Sequence, residues 1–168
     1  MDPGVWRVVI ILMGVSGVGK TTLGKRLAQA LGWRFVEGDD FHPQANVAKM
    51  AVGIPLTDED RAPWLEQLRG LVTGLLDRGE EAVVACSALK QSYRQLLTVD
   101  STRVRWVYLW APREVIASRL AQRTGHFMPL SLLDSQFAAL EAPGDALQVD
   151  VTPGPDAVVA TIREQLGV

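Results

Sequence analysis

The residues with the clearest chemical meaning lie near the start of the chain, in the glycine-rich segment Gly14–Thr21. The spacing is that of a phosphate-binding loop: a glycine, four other residues, then glycine, lysine and threonine. Glycine lets the backbone turn so closely that successive N–H groups point at phosphate oxygens. Lys20 would reach the β- and γ-phosphates, and the Thr21 hydroxyl would join a Mg²⁺ coordination shell. The residues predicted to bind the nucleotide here are Gly14, Val15, Ser16, Gly17, Val18, Gly19, Lys20, Thr21 and Thr22.

This loop predicts binding of a nucleoside triphosphate but leaves the fate of the γ-phosphate open. A chance match to the pattern is expected in about 0.5% of chains of this length. The chain lacks the N-K-x-D motif of a guanine-specific GTPase. Its third apolar run ends in Cys86 and Ser87, where a mechanochemical ATPase would usually place a Mg²⁺-binding acid. The class that remains is the kinases of small metabolites.

Two carboxylates, Glu37 and Asp39, follow the second apolar run. Alternate residues of a strand share a face, so we expect both at the carboxyl-terminal edge of the sheet, where open α/β sheets bind ligands. One of these carboxylates could accept the proton of an attacking hydroxyl, while the other helps to hold the water shell of Mg²⁺. The alternative is a solvated acidic turn before Pro43.

Four cations occur in the segments that follow the second and third apolar runs, namely Lys49, Arg61, Lys90 and Arg94. Any one of them alone is most simply explained as surface charge. Together they predict a pocket for an anionic acceptor, since arginine binds a carboxylate through two parallel hydrogen bonds. Trp64, which follows Arg61 closely, is predicted to be a core residue.

A candidate lid begins with Arg119 and Arg123, which lie four residues apart and therefore share a helix face. Arg123 would stabilise charge on the transferred phosphoryl group, and Arg119 would stack on the base. The alternative is a pair of solvated arginines at a helix end. A glycine- and proline-punctuated segment follows, and it contains His126.

Short apolar runs alternate with helical patterns along the chain. The predicted strands are Val8–Met13, Arg34–Glu37, Ala82–Cys86, Val104–Leu109 and, more weakly, Leu147–Val151. Helices are predicted after Lys20, from an N-cap at Asp60, from Pro112, around Leu133–Leu140 and from Pro155. The continuous apolar character of the strands suits a parallel sheet covered on both faces, so the fold class is α/β with a doubly wound sheet.

Composition narrows the function classes further. The 168 residues fit one domain, and 48% of them are hydrophobic. A net charge of -2 argues against a nucleic-acid binder and favours a small-molecule partner. A single cysteine, Cys86, fits a reducing compartment, and we expect it to pack as a small apolar side chain. The first apolar run is too short to span a membrane and lacks a basic leader, so a cytoplasmic protein is expected.

Taken together, these clusters resemble the gluconate kinase (gluconokinase) family of phosphate-loop kinases. The resemblance runs from about residue 8 to residue 144. Besides the phosphate loop, the segments that carry it are Gly38-Asp39 with His42-Pro43, Asn46 with Lys49-Met50, Gly53–Leu56, Asp60-Arg61 with Pro63-Trp64, Cys86–Lys90 with Tyr93-Arg94, Gly125–Phe127, and Gln136-Phe137 with Leu140-Glu141 and Pro143.

The resemblance implies transfer of phosphate from ATP, with Mg²⁺, to the 6-hydroxyl of D-gluconate. It implies a three-layer fold like that of nucleoside monophosphate kinases, with a five-stranded parallel sheet, an acceptor-binding helical segment at about 40–64 and a lid at about 119–131. It also suggests a homodimer. In this family the catalytic residues would be Lys20, Asp39 and Arg123, and the candidates for binding gluconate are Asp39, His42, Lys49, Arg61, Ser87, Arg94 and His126.

Two alternatives remain at this point. One is a kinase for another small sugar acid or a shikimate-like acceptor. The other is a regulatory module that holds ATP without transferring phosphate. A pure binding module has no need of the acceptor-side carboxylate Asp39, which favours the enzyme.

Overall fold

Five parallel strands form the centre of the structure, a computed structural model that describes residues 7–123 and 129–168. Their order across the sheet is β2-β3-β1-β4-β5. The strands are β1 Val9–Met13, β2 Arg34–Glu37, β3 Ala82–Ala85, β4 Val104–Trp110 and β5 Leu147–Asp150. All five were predicted from the sequence, to within one residue at most ends. Because β1 lies between β3 and β4, the phosphate-loop segment leaves the middle of the sheet.

Helices cover both faces of the sheet. They are α1 Lys20–Leu31, α2 Gln44–Ala51, α3 Asp58–Asp77, α4 Gln91–Leu97, α5 Arg113–Ala121, α6 Leu130–Ala139 and α7 Pro155–Leu166, and a 3-10 turn spans Gly38–Phe41. The sequence predicted α1, α3, α5, α6 and α7. It did not predict α2 and α4, because eight and seven residues are too few to display a repeating apolar stripe. In the described ranges, no helix has both the length and the apolar character required to cross a membrane.

Alternate residues of β1 pack into two separate apolar cores. Ile10 and Leu12 pack with side chains of α1, α5 and α7, whereas Val9 and Ile11 pack with α3 and α4. All four side chains have no exposed surface. The predicted three-layer arrangement, with helices on both faces of a parallel sheet, is therefore confirmed.

The start of α3 differs from the sequence prediction by three residues. Thr57, not Asp60, is the N-cap, and the two side chains form a reciprocal capping box. The Asp60 N–H donates to the Thr57 hydroxyl at 3.1 Å, and the Thr57 N–H donates to an Asp60 carboxylate oxygen at 2.9 Å. The sequence pattern was ambiguous because Thr57, Asp58 and Asp60 are all residue types that cap helices.

We expect Thr57→Ala to lower the free energy of unfolding by about 1 kcal/mol, because the Asp60 N–H loses its acceptor. Urea unfolding followed by circular dichroism measures this change. Thr73→Ala, on an exposed position within α3, is the matched control and should be neutral or slightly stabilising. An unchanged midpoint for Thr57→Ala would show that the capping box contributes nothing to stability.

Candidate active site

The phosphate loop leaves β1 at Gly14 and enters α1 at Lys20. Gly14 has a φ of 150°, and a Cβ atom there would lie 2.6 Å from the carbonyl oxygen of Leu109, so only glycine fits. Gly19, the N-cap of α1, has a φ of 102°. The positive end of the α1 dipole therefore faces the loop, which suits an anionic ligand.

Lys20 lies inside this loop. Its Nζ donates to the carbonyl oxygens of Gly14 and Val15 at 2.9 and 3.0 Å. Burial lowers the pKa of Lys20, and the positive charge of Arg123 acts in the same direction. The carboxylates of Asp39 and Glu37 oppose both effects by favouring the charged ammonium. Lys20 thus sits where the phosphate loop meets the acidic end of β2.

Thr21 and Glu37 meet directly, since the Thr21 hydroxyl donates to a Glu37 carboxylate oxygen. The other carboxylate oxygen of Glu37 accepts from the Asp39 N–H at 3.4 Å. A hydroxyl and a carboxylate are hard oxygen donors of the kind that Mg²⁺ prefers. Within residues 7–123 and 129–168 there is no cluster of three or more His, Cys, Asp or Glu side chains, so a Mg²⁺ ion here would also need phosphate oxygens and water.

Asp39 lies in a turn and not in a strand, so the prediction that it shares a strand face with Glu37 is wrong. β2 ends at Glu37, and Asp39 lies in the 3-10 turn that follows, so the two carboxylates do not alternate along one strand. Gly38 packs against β3 so tightly that a Cβ there would lie 2.3 Å from the carbonyl oxygen of Ala85. This close contact holds the turn at the sheet edge, and the Asp39 side chain remains 65% exposed.

A cavity opens between Asp39, the phosphate loop and α6; we call it the acceptor cavity. Of the predicted site residues, the structure brings six together around it: Ser16, predicted on the nucleotide side, and Lys20, Asp39, His42, Arg61 and Ser87. The other residues that line it are Met50, Pro55, Leu56, Trp64, Leu89, Leu132, Ser135 and Gln136. His126, also predicted here, lies outside the described residues.

His42 is held in one orientation and one tautomer. Its ring stacks on Trp64 with centroids 4.2 Å apart. The Asn46 amide nitrogen, which also donates to the Asp60 carbonyl, lies 3.2 Å from Nδ1 of His42, so Nδ1 accepts and Nε2 carries the proton. Nε2 lies 3.9 Å from an Asp39 carboxylate oxygen. Burial lowers the pKa of His42, which favours this neutral form.

Arg61 is held at the cavity wall by Tyr93. The Tyr93 hydroxyl accepts from Nη1 of Arg61 at 3.2 Å and donates its own proton to Asp58. Lys90 lies 2.8 Å from the same Asp58 carboxylate and neutralises it. The arrangement keeps the guanidinium of Arg61 beside a cavity that the carboxylate of Asp39 also lines.

Lys49 and Arg94 are placed differently from the sequence prediction, and neither lines the acceptor cavity. Lys49 forms an ion pair with Asp60 at 2.9 Å, which lowers the pKa of that carboxyl to about 2. Arg94 is buried, and its guanidinium donates to the carbonyl oxygens of Ala88, Leu89 and Glu141. The reason for the difference is a tertiary contact: the Arg94 guanidinium satisfies backbone carbonyl oxygens of two segments, one of them 47 residues away at Glu141.

Two expected core residues are confirmed. Trp64 is 1% exposed and donates its indole N–H to the Gly38 carbonyl at 2.8 Å. Cys86 is equally buried, and burial raises the pKa of its thiol to about 12, so it carries no thiolate at neutral pH.

A second cavity, of about 340 Å³, lies on the other side of the phosphate loop. Arg119 and Arg123 both line it, together with Thr22 and the segment 151–155. Nη2 of Arg119 donates to the Val151 carbonyl at 2.8 Å, which fixes the guanidinium at the cavity wall. The segment 151–155 was not predicted as part of the site. Its Pro153 and Gly154, which lie between β5 and α7, are residue types typical of turns.

The chain has clear relatives. A family model described as "AAA domain" matches residues 9–143. A gluconokinase of Gluconobacter oxydans is 48% identical over 153 residues, which cover 89% of this chain and 86% of that protein.

Two solved structures are similar throughout. A sugar kinase from Janibacter sp. HTCC2649 superposes with a TM-score of 0.89 at 41% identity, covering 96% of this chain and 95% of that one. A gluconokinase from Sinorhizobium meliloti 1021 gives a TM-score of 0.84 at 40% identity, with 96% and 97% covered.

Proposed function

The chain belongs to the gluconokinase family, and from that premise we propose that it transfers the γ-phosphoryl group of ATP to the 6-hydroxyl of D-gluconate. The products are 6-phospho-D-gluconate and ADP. The observation that carries this proposal is the acceptor cavity, in which Asp39, Lys20 and Arg61 surround one space beside the phosphate loop. The same comparisons do not favour the other acceptors considered from the sequence, another sugar acid or a shikimate-like molecule.

Asp39 is the proposed base. The 6-hydroxyl oxygen forms a bond to the γ-phosphorus as the bond from that phosphorus to the β–γ bridging oxygen breaks, and the hydroxyl proton passes to Asp39. The exposed carboxylate of Asp39 and its place with Lys20 in the lining of the acceptor cavity support this assignment. The Nε2 atom of His42 lies 3.9 Å from an Asp39 carboxylate oxygen, beyond hydrogen-bond distance, so its N–H would be available to a substrate hydroxyl.

Lys20 and Arg123 are the proposed cationic groups that balance charge on the transferred phosphoryl group. Thr21 and Glu37 would hold Mg²⁺ or its water shell, and the ion would supply further charge neutralisation. The backbone of Gly14–Thr21 and the side chain of Thr22 would bind the phosphates, and Arg119 would lie against the base. The segment 119–131, of which residues 124–128 lie outside the described residues, is the proposed lid, and the segment 40–64 is the proposed acceptor-binding segment.

Arg61 is the proposed partner of the gluconate carboxylate, with Ser87 and His126 as hydroxyl-binding residues. We expect Arg61→Ala to raise the KM for gluconate about 10- to 100-fold, because a charge-assisted hydrogen bond contributes about 1.5–3 kcal/mol. The KM for ATP should change little. Steady-state kinetics with each substrate varied in turn measures both constants.

The matched control is Arg69→Ala, an exposed arginine further along α3. It should leave both KM values unchanged. If Arg61→Ala leaves the KM for gluconate at the level of this control, the carboxylate is bound by another group.

We also propose that the protein acts as a homodimer in the cytoplasm, where its substrate ATP is available. The dimer rests on the family resemblance. Multi-angle light scattering of the purified protein would give a mass near twice 18.3 kDa if this is correct, and near 18.3 kDa if it is not.

The position of phosphorylation is tested on the product. With ¹³C NMR, transfer to the 6-hydroxyl predicts phosphorus coupling at carbons 5 and 6 of gluconate. Coupling at any other carbons would contradict the proposed placement of the acceptor.

A further inference from the structure

Gln136 joins the wall of the acceptor cavity to the phosphate loop. Its Oε1 accepts from the Ser16 N–H at 2.6 Å, and its Nε2 donates to the Ser16 hydroxyl at 3.0 Å. The two residues are 120 positions apart in the chain. Gln136 was not predicted from the sequence to have a role of its own, because a glutamine within an amphipathic helix gives no functional signal.

The helix that carries Gln136 forms one side of the acceptor cavity. Leu132, Ser135 and Gln136 of α6 all line it, together with Asp39 and Arg61. The fully buried Leu133 anchors the same helix in the core. A displacement of the phosphate loop relative to α6 would therefore change the distance between bound acceptor and bound phosphate.

The Gln136 carboxamide matches both hydrogen-bonding groups of Ser16 that face it. One end of the group accepts and the other donates, so the backbone N–H and the side-chain hydroxyl of Ser16 are both satisfied by a single planar group. A paired contact of this kind fixes orientation as well as distance. An alanine at position 136 removes both hydrogen bonds, whereas a glutamate retains two acceptors and adds a negative charge.

We propose that Gln136 is a positioning residue, which fixes the wall of the acceptor cavity to the phosphate loop and so aligns the acceptor hydroxyl with the transferred phosphoryl group. This inference rests on the proposed function for the identity of the acceptor. The contact itself does not, and it can be tested without any substrate.

The first experiment measures hydrogen exchange of the Ser16 amide by ¹⁵N NMR in the ligand-free protein. A hydrogen-bonded amide exchanges slowly, and we expect Gln136→Ala to speed exchange of the Ser16 amide about 10-fold or more. Gln136→Glu keeps an acceptor for this N–H and should preserve its protection. Unchanged exchange in Gln136→Ala would overturn the proposal.

The second experiment separates binding from alignment. A misplacement of about 1 Å lowers a rate about 100-fold, so we expect Gln136→Ala to lower kcat between 10- and 100-fold. The Kd values for D-gluconate alone and for a non-hydrolysable ATP analogue alone, measured by calorimetry, should stay within about threefold of wild type, because neither ligand requires the alignment on its own. The matched control is Gln148→Ala, which removes from β5 a carboxamide that donates to the Pro143 carbonyl, and it should leave all these values unchanged.

Two results would contradict the kinetic part. An unchanged kcat of Gln136→Ala would show that alignment does not depend on Gln136. If Gln136→Ala also bound the ATP analogue more tightly, the carboxamide would compete with phosphate for the Ser16 N–H. Failure of the proposed function is recognised separately, because wild type itself would then not phosphorylate gluconate while the Ser16 exchange result would still hold.

Discussion

Replacing Lys20 with alanine is expected to lower kcat about a thousandfold, the magnitude seen when a group that stabilises transition-state charge is removed from a preorganised site. Lys20 is held in the loop by the carbonyl oxygens of Gly14 and Val15, at the point where the acceptor cavity meets the phosphate loop. No other described cation occupies that position. Steady-state turnover with saturating MgATP and D-gluconate measures the effect.

The matched control is Lys25→Ala, which removes an exposed lysine from the same helix. It should retain wild-type turnover. Circular dichroism of Lys20→Ala should be native, because the side chain contributes no apolar packing to either core. Near-normal turnover of a folded Lys20→Ala protein would exclude the phosphate-loop assignment.

Asp39→Asn is expected to lower kcat about 10²- to 10⁴-fold, the usual contribution of a general base, while the Kd for ATP changes little. The substitution is nearly isosteric, so the turn that Gly38 holds against β3 should be preserved. The amide accepts no proton from the 6-hydroxyl at neutral pH. Comparison of kcat with the nucleotide Kd from calorimetry distinguishes loss of chemistry from loss of binding.

Asp40 offers a control one residue away. Asp40 is exposed and does not line either cavity, so Asp40→Asn should leave turnover unchanged. If Asp39→Asn instead abolishes ATP binding and leaves gluconate affinity intact, Asp39 belongs to the nucleotide side of the site.

Most of the sheet and the phosphate loop could be predicted from the sequence because their signals are local. Val9–Met13 is a continuous apolar run, and Gly14–Thr21 is fixed by the types and spacing of its own residues. The placement of Glu37 near Thr21 also followed from the rule that parallel strands end at one edge. Such features can be predicted without knowing which residues pack against them.

The parts that were not predicted depend on contacts between distant segments. Arg94 and Arg61 were both predicted from the sequence to bind the acceptor, yet Arg94 is buried against backbone carbonyls and Arg61 is held at the cavity by Tyr93. The role of Gln136 depends on its hydrogen bonds to Ser16, which is 120 residues away. The tautomer of His42 likewise depends on Asn46, whose second hydrogen bond to Asp60 is a tertiary contact.

The most direct test of the central claim is the rate of ADP release with MgATP in the presence and absence of D-gluconate, with shikimate and D-glucose as control acceptors. Arg61 in one cavity with Asp39 predicts weak or no stimulation by D-glucose, which has no carboxylate. Membership of the gluconokinase family predicts strong stimulation by gluconate and weak or no stimulation by shikimate. Equal rates with and without gluconate, in a protein that still binds ATP, would contradict the assignment of gluconate as the acceptor.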